Sequence, residues 1–268
     1  SICHTRPSGS FFGLAQLSPF TRTSPAWKAL MSLPTIEDRL AALKDPVQRK
    51  RLVSEGQQAG DLDRLAWQLH PFGMAEKPDL DLNRRASLQQ LADEAGRNVV
   101  DVYIDRLIES EGKEFFNFWM FGGALQNQWK YMQLPQVIPM LGDAGAHVGF
   151  FTDADSPTVL LGELTREQGV YTLPEAVNRI SGASAEVIGL KDRGLLKEGW
   201  QADINIIDYD NLGSKQPYYV NDFPHGGGRF VVESTGYDAT LVAGQVIIEH
   251  GKHTGRRPGK VIREFHRG

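Results

Sequence analysis

Near residue 190 the chain changes from alternating helical and strand patterns to strand patterns alone. Before this point, short apolar runs alternate with segments whose apolar residues recur at helical spacing, which is typical of the α/β fold class. After it, residues 204–207, 230–233 and 239–249 have strand character. The last of these contains Ala243-Gly244, which predicts a two-residue hairpin turn. We therefore expect an α/β part over residues 1–190 and a β segment over residues 191–268.

A carboxylate stands at the end of a short apolar run in residues 137–147. Asp143 follows the run Val-Ile-Pro-Met-Leu, and Gly145 and His147 come shortly after it. Barrels of the α/β class place their catalytic groups at this end of a strand, and small residues there leave room for a ligand. An aspartate in this position can bind a metal ion or move a proton, and it can also simply cap the next turn. The residues alone leave both interpretations open.

The region between about residues 15 and 110 has the signals of a helical insertion. Ser24-Pro25 is typical of a helix start, and Thr35 with Asp38 resembles a capping box. Residues 87–95 predict a helix that ends at Gly96. Residues 115–121 are a dense aromatic run, which we interpret as a buried barrel strand or as the wall of a pocket, with an interior position favoured.

Composition argues against several classes of function. The formal net charge is −4 and no basic block stands out, so nothing favours nucleic-acid binding. No run approaches the ~20 apolar residues of a membrane span. The single cysteine, Cys3, excludes an intrachain disulfide and fits a reducing compartment. We expect a cytoplasmic protein without nucleic-acid or membrane partners. Because the chain opens at Ser1 in a strand-like segment, we also expect it to be a piece of a longer protein.

The segment from residue 189 to 208 resembles the tail of the metal-dependent amidohydrolase superfamily. It reads Gly-Leu-Lys-Asp-Arg-Gly-Leu-Leu-Lys-Glu-Gly-Trp-Gln-Ala-Asp-Ile-Asn-Ile-Ile-Asp. In the superfamily a similar pattern returns the chain from a barrel to a small β-sandwich. The hairpin at 240–246 and the ending at 251–262 continue the likeness. Together with Arg6-Pro7-Ser-Gly and residues 142–149, they resemble the branch of N-acyl-D-amino-acid deacylases (D-aminoacylases). The resemblance covers essentially the whole chain and about the C-terminal half of such an enzyme.

This resemblance implies the C-terminal part of a (β/α)8 TIM-like barrel followed by a small β-sandwich tail. Residues 1–5 would form the seventh strand and residues 137–141 the eighth, with the helical insertion between them. Asp143 then matches the family's aspartate at the end of strand eight. In the family this residue contacts the catalytic zinc, takes a proton from the attacking water and delivers it to the leaving amine. The implied activity is zinc-dependent hydrolysis of a linear amide, with a small N-acyl amino acid or a related amide as substrate.

Arg6 and His147 are further candidates, as substrate-binding residues. Arg6 could bind a substrate carboxylate through its planar guanidinium, or it could form an ion pair that organises the barrel rim. His147 could orient Asp143 or contact substrate, or it could be an ordinary turn histidine. Asp153 and Asp155 are expected to be solvated loop acids. Residues 150–156 also lack the arginine with which better-known deacylases hold the substrate carboxylate.

The chain lacks the His-x-His pair with which the superfamily gathers its metal. A catalytic zinc ion usually needs three protein ligands, so we expect the ligands other than Asp143 upstream of this chain, and the fragment alone should be inactive. Two alternatives stay open. A cyclic amidase of the hydantoinase or dihydroorotase type shares the barrel and tail, and a truncated relative could act as a non-catalytic binding module.

Overall fold

The computed structural model describes residues 1–6, 8–58, 62–80, 85–121, 125–139 and 145–263. The helices in these ranges are α1 (Pro25–Met31), α2 (Ile36–Lys44), α3 (Pro46–Gln57), α4 (Leu62–Gln68), α5 (Leu88–Ala95), α6 (Val99–Glu109), α7 (Leu125–Met132), α8 (Ser156–Val159), α9 (Leu173–Ile180) and α10 (Gly182–Ile188). The strands are β1 (Ile2–Cys3), β2 (Ser8–Gly13), β3 (Leu69–Pro71), β4 (Phe115–Phe121), β5 (Ile138–Pro139), β6 (Ile204–Ile207), β7 (Gly213–Ser214), β8 (Tyr218–Val220), β9 (Arg229–Val231), β10 (Ser234–Thr235), β11 (Tyr237–Val242), β12 (Gln245–Glu249) and β13 (Lys252–His253). A π-helix, Leu160–Glu167, follows α8 directly. None of the helices in the described ranges is long and apolar enough to cross a membrane.

Capping residues determine where α1 and α2 begin and where α5 ends. The hydroxyl of Ser24 accepts a hydrogen bond from the backbone N–H of Trp27 at 3.2 Å, and that of Thr35 accepts one from Asp38 at 3.0 Å. Each bond satisfies a donor that the first turn of a helix leaves without a partner. Gly96 ends α5 with a φ of 61°, a left-handed conformation that glycine adopts without strain. The predicted helix boundaries at these three positions are confirmed.

The helices α1 to α6 pack around a core of large aromatic side chains. Trp27 is fully buried, with its ring centroid 5.0 Å from that of Phe20 and 5.7 Å from that of Tyr103. The Tyr103 ring lies 4.6 Å from Phe116, which belongs to β4. This core therefore joins the helices to the sheet beside them, because its members come from both.

The aromatic run at residues 115–121 forms β4, the central strand of a three-stranded sheet with the order β2-β4-β3. Phe115 and Phe116 are buried, which confirms the predicted interior position. Both neighbouring strands pair with β4 in the antiparallel direction. The strands of a (β/α)8 barrel are parallel, so the interpretation of this run as a barrel strand is wrong.

The strands β1 and β5 form a parallel pair although about half of the chain lies between them. Ile2 is opposite Ile138, and Cys3 is opposite Pro139. The amino group of Ser1 donates to the carbonyl oxygen of Gln136 at 2.8 Å, which extends the contact by one residue. The predicted strands at residues 1–5 and 137–141 therefore lie side by side, each shorter in the described residues than expected. Parallel neighbours need a crossover connection, and the chain from residue 4 to residue 137 supplies it.

The C-terminal region contains a four-stranded antiparallel sheet with the order β13-β12-β11-β6. Its central hairpin turns at Ala243 and Gly244, with φ angles of 47° and 74°. Two successive positive φ angles are typical of a type I′ turn, whose twist matches that of the flanking strands. The predicted hairpin is confirmed. Two shorter antiparallel pairs, β8 with β9 and β7 with β10, lie between β6 and β11 in the chain.

Replacing Gly236 by alanine is expected to lower the free energy of unfolding by about 2 to 5 kcal/mol, as the sum of left-handed strain and overpacking. Gly236 has a φ of 83°, and an added Cβ would lie 2.6 Å from the Cα of Leu212 and 2.8 Å from the carbonyl oxygen of Asp208. Backbone cannot move aside as a flexible side chain can. Urea unfolding followed by circular dichroism measures the change.

Gly251→Ala is the matched control for Gly236→Ala. Gly251 has a similar φ of 75°, but an added Cβ there would meet no atom within 4 Å. The control should therefore show only the cost of the left-handed conformation, about 1–2 kcal/mol. Equal losses in the two variants would mean that the contact between Gly236 and Leu212 has no energetic consequence.

Candidate functional site

The three predicted site residues, Arg6, Asp143 and His147, differ in whether the structure describes them and in how exposed they are. Asp143 lies outside the described residues, so its role stays a prediction that rests on the sequence. His147 is exposed and has a φ of 53°. Its carbonyl oxygen accepts hydrogen bonds from the N–H groups of Phe150 and Phe151 at 2.8 and 3.0 Å. The exposed imidazole is accessible to a ligand from solvent, and its contact with substrate remains a proposal.

Arg6 is buried, with only 4% of its surface exposed, at the point where the chain leaves β1. Its Nη2 donates to Asp153 Oδ1 at 2.7 Å and to Thr152 Oγ1 at 2.6 Å. Its Nε donates to the same Asp153 oxygen at 3.2 Å, and its Nη1 donates to Asp155 Oδ2 at 3.3 Å. We call Arg6, Thr152, Asp153 and Asp155 the Arg6 cluster. All three guanidinium nitrogens are hydrogen-bonded within it.

Asp153 and Asp155 are each 3% exposed, so the expectation that they are solvated loop acids is wrong. They form a short 3₁₀ turn, Asp153–Asp155, that places both carboxylates against the Arg6 guanidinium. Charged groups are rarely buried unless they are paired, and here each compensates for the burial of another. In the sequence, two acids two positions apart in a largely apolar stretch could have indicated that they are buried. Nothing in the sequence identified Arg6 as their partner.

The surroundings of the Arg6 cluster shift the pKa values of Arg6 and Asp155. Burial would by itself lower the pKa of Arg6, but attraction to Asp155 and Asp153 offsets this and raises it above the ordinary value. Arg6 therefore stays charged. Burial raises the pKa of the Asp155 carboxyl, against the attraction of Arg6. The cluster contains one cation and two acids, so a full negative charge on both acids is not balanced by Arg6 alone.

Further hydrogen bonds hold the residues just before Arg6. Thr5 Oγ1 lies 2.5 Å from Ser156 Oγ and donates to the carbonyl oxygen of Ser156 at 3.1 Å. The side-chain amide of Gln128, on α7, donates to the carbonyl oxygens of His4 at 2.6 Å and Arg6 at 3.2 Å. The sequence did not mark Thr5, Ser156 or Gln128 as site residues. Their partners lie more than 120 positions away, beyond the reach of any local pattern.

Thr5 and Ser156 contribute to the wall of a cavity of about 560 Å³. Its wall is largely apolar and includes residues from α9 and α10. The two charged residues among its described lining, Arg193 and Asp203, form an ion pair with each other at 3.1 Å. This cavity therefore does not present Arg193 as a free cation for a substrate carboxylate.

The described residues do not by themselves fit a catalytic metal ion. In the ranges that the structure covers, no group of three or more His, Cys, Asp or Glu side chains is arranged so that it could hold one. Structural and catalytic zinc sites use at least three protein ligands. A metal at Asp143 would therefore need donors from outside the described part of this chain.

Comparison with known proteins matches the chain to one family. The family model described as "Amidohydrolase family" matches residues 124–248. The N-acyl-D-aspartate deacylase of Alcaligenes xylosoxydans xylosoxydans is 30% identical over 106 residues, which are 39% of this chain and 19% of the relative. The N-acyl-D-glutamate deacylase of the same organism is 31% identical over 106 residues, 40% of this chain and 20% of the relative. The matched segment thus spans about a fifth of the length of each.

Solved structures give partial matches. One is an N-acyl-D-glutamate deacylase from Bordetella bronchiseptica, complexed with zinc and a phosphonate inhibitor. It matches with a TM-score of 0.43 and 22% identity, over 75% of this chain and 38% of that chain. Another is a D-aminoacylase variant in complex with copper chloride, with a TM-score of 0.42 and 20% identity over 75% of this chain and 38% of that chain.

Proposed function

We propose that this chain, whose residues 124–248 match the model of the amidohydrolase family, is the C-terminal portion of a metal-dependent hydrolase of C–N amide bonds. The observation that carries the proposal is the 30–31% identity over 106 residues to two deacylases of N-acyl-D-amino acids. The finer proposal is an N-acyl-D-amino-acid deacylase that acts on linear amides. Its substrate would be a small N-acyl amino acid or a related amide.

The proposed fold of the whole protein is a (β/α)8 barrel with a small β-sandwich tail. The parallel pairing of β1 with β5 supports their assignment as strands seven and eight, because neighbouring barrel strands are parallel. Residues 1–190 would then form the C-terminal part of the barrel, with a helical insertion at about residues 15–110. Residues 191–268 would form a segment of the small β domain.

Asp143 is the proposed catalytic residue and the proposed metal contact. As the attacking water adds its oxygen to the amide carbonyl carbon, the carboxylate of Asp143 takes the released proton. It then gives this proton to the amide nitrogen, so that the C–N bond breaks and an amine leaves. We propose zinc as the metal, with its other ligands upstream of Ser1. His147, exposed and four positions after Asp143, is proposed to contact the substrate or to orient Asp143.

Chelation of the full-length protein is the first test of the proposal. Removal of the metal is expected to lower the rate of N-acyl-D-amino-acid hydrolysis by at least about 100-fold, because metal activation of water supplies several kcal/mol in such sites. Added zinc should restore the rate. Metal analysis and circular dichroism of the chelated protein separate loss of metal from loss of fold.

The choice of substrate distinguishes the alternatives. Hydrolysis of linear N-acyl-D-amino acids, with hydantoins and dihydroorotate left intact, is the expected result. If the protein opened the rings of hydantoins or dihydroorotate and did not cleave linear amides, it would be a cyclic amidase and not a deacylase. The hydrolase proposal would be contradicted if the full-length protein bound no metal, had no upstream His-x-His pair and hydrolysed no amide. The non-catalytic binding module would then be the remaining alternative.

A further inference from the structure

We infer that the Arg6 cluster holds the segment after strand eight in place, so that Arg6 is a positioning residue for Asp143 and does not bind substrate. This inference rests on the proposed function for the identity of Asp143 as the catalytic residue. The Arg6 cluster joins the end of β1 to residues 145–156, which we call the 145–156 segment.

The guanidinium of Arg6 lacks the exposure that substrate binding requires, and four of its five N–H groups donate within the Arg6 cluster. A carboxylate is bound most strongly by two parallel N–H groups of one arginine. In Arg6, Nε and Nη2 form this fork, and both donate to the same oxygen of Asp153, at 3.2 and 2.7 Å. Nη1 donates to Asp155, and the Arg6 side chain is 5% exposed. A substrate carboxylate would have to displace a buried carboxylate to reach it.

The 145–156 segment is held at several points along its length. The N–H of Phe230, in β9, donates to the carbonyl oxygen of Val148 at 2.7 Å, and the N–H of Phe11, in β2, donates to that of Phe150 at 2.9 Å. The side chain of Gln16 donates to the carbonyl oxygen of Gly149. The Arg6 cluster holds the rest of the segment, at residues 152, 153 and 155.

In the sequence, Asp143 stands between two residues that hydrogen bonds or strand pairing hold in place. Pro139 is paired with Cys3 in the β1–β5 sheet, and Val148 is bound to Phe230. Asp143 is four positions after Pro139 and five positions before Val148. Arg6 joins the end of β1 to the 145–156 segment. A change in the Arg6 cluster is therefore expected to alter the distance between Pro139, which is paired with β1, and Val148, which lies in the 145–156 segment. Catalysis is sensitive to such changes, because a displacement of about 1 Å can cost about 100-fold in rate.

A second substitution in the Arg6 cluster should offset the loss of Arg6. Asp153 Oδ2 and Asp155 Oδ1 are buried, and no group in the described residues donates to them within normal hydrogen-bond geometry. The Ser214 hydroxyl is near enough to favour the charged form of Asp155 and so to lower its pKa. Among the described residues, Arg6 is the cation that pairs with both carboxylates, and its loss would remove this shared counter-charge. Burial already raises the pKa of Asp155. Neutralising Asp155 should consequently relieve most of the damage that loss of Arg6 causes.

The test uses the full-length protein with the variants Arg6→Met, Asp155→Asn, the double variant and Arg6→Lys. For N-acetyl-D-glutamate we expect Arg6→Met to lower kcat by about 10- to 100-fold with KM within about 3-fold of wild type. The double variant should regain at least about half of this loss on a logarithmic scale. Arg6→Lys should lower kcat less than Arg6→Met and leave KM unchanged. Arg51→Lys, in an exposed ion pair with Glu55, is the control and should match wild type.

Substrate binding by Arg6 predicts the opposite pattern. KM would rise by about 100-fold or more in Arg6→Met and in Arg6→Lys, and Asp155→Asn would rescue neither, since loss of a bidentate charged contact weakens binding directly. That result would overturn the inference.

Hydrogen exchange makes the inference testable even if the proposed reaction is wrong. Amide exchange of residues 148–155 should be at least about 10-fold faster in Arg6→Met than in wild type, and slower again in the double variant. Unchanged exchange with a normal kcat would contradict the positioning role. Absence of amide hydrolysis by the wild-type protein would instead contradict the proposed function, whatever the exchange shows.

Discussion

Asp143→Asn in the full-length protein is expected to lower kcat for amide hydrolysis by about 10²–10⁴-fold, the range that general acid–base catalysis supplies. Asparagine has nearly the same shape as aspartate and can accept hydrogen bonds, but it cannot take a proton from water at neutral pH. The loss should therefore appear in kcat and not in folding. Steady-state kinetics with N-acyl-D-amino acids and circular dichroism measure the two effects separately.

Asp238→Asn is the matched control for Asp143→Asn. Asp238 is an exposed aspartate in β11, so the same chemical change there should leave kcat and KM within about 2-fold of wild type, as is usual for surface substitutions. Near-normal turnover by Asp143→Asn would remove this residue from the mechanism. Loss of metal from Asp143→Asn with wild-type kinetics after zinc addition would assign it to metal binding alone.

Trp27→Ala is expected to lower the free energy of unfolding by about 3–5 kcal/mol, the cost typical of removing a buried tryptophan from a core. Trp27 is fully buried against Phe20 and Tyr103, and its indole N–H donates to the carbonyl oxygen of Leu52 at 3.0 Å. Alanine would leave a large cavity and a buried carbonyl without this donor. Urea unfolding of the helical region, followed by far-ultraviolet circular dichroism, measures the loss.

Trp67→Ala controls for the loss of a tryptophan as such. Trp67 lies in α4 and is 52% exposed, so its removal should cost less than about 1.5 kcal/mol, since about half of its surface is already in contact with water. Similar losses in the two variants would show that the aromatic core around Trp27 does not stabilise the helical region more than the surface does.

The features that could be predicted from the sequence are those whose causes lie within a few residues. Ser24 caps α1 through the N–H of Trp27, three positions away, and Gly96 ends α5 because glycine adopts the left-handed conformation without strain. The hairpin at Ala243-Gly244 likewise depends on two adjacent φ angles. The resemblance to the amidohydrolases is also contained in a continuous segment, and the family match at residues 124–248 bears it out.

The features that could not be predicted depend on residues far apart in the chain. The aromatic run in β4 gave no indication of strand direction, because strand direction depends on which strands lie beside it, here β2 and β3. Asp153 and Asp155 are charged loop residues of the kind that is usually exposed to solvent. They are buried because Arg6, which is 147 and 149 positions away in the sequence, pairs with them.

The sequence by itself determined the helix ends, the hairpin and the resemblance to amidohydrolases, because local backbone preferences and a continuous motif are sufficient for each of them. Only the tertiary structure decided the environment of Arg6. A guanidinium that could have faced either a ligand or the protein is surrounded by Thr152, Asp153 and Asp155. The physical reason is that the cost of burying a charge depends on the groups packed around it, and those groups come together only when the chain folds.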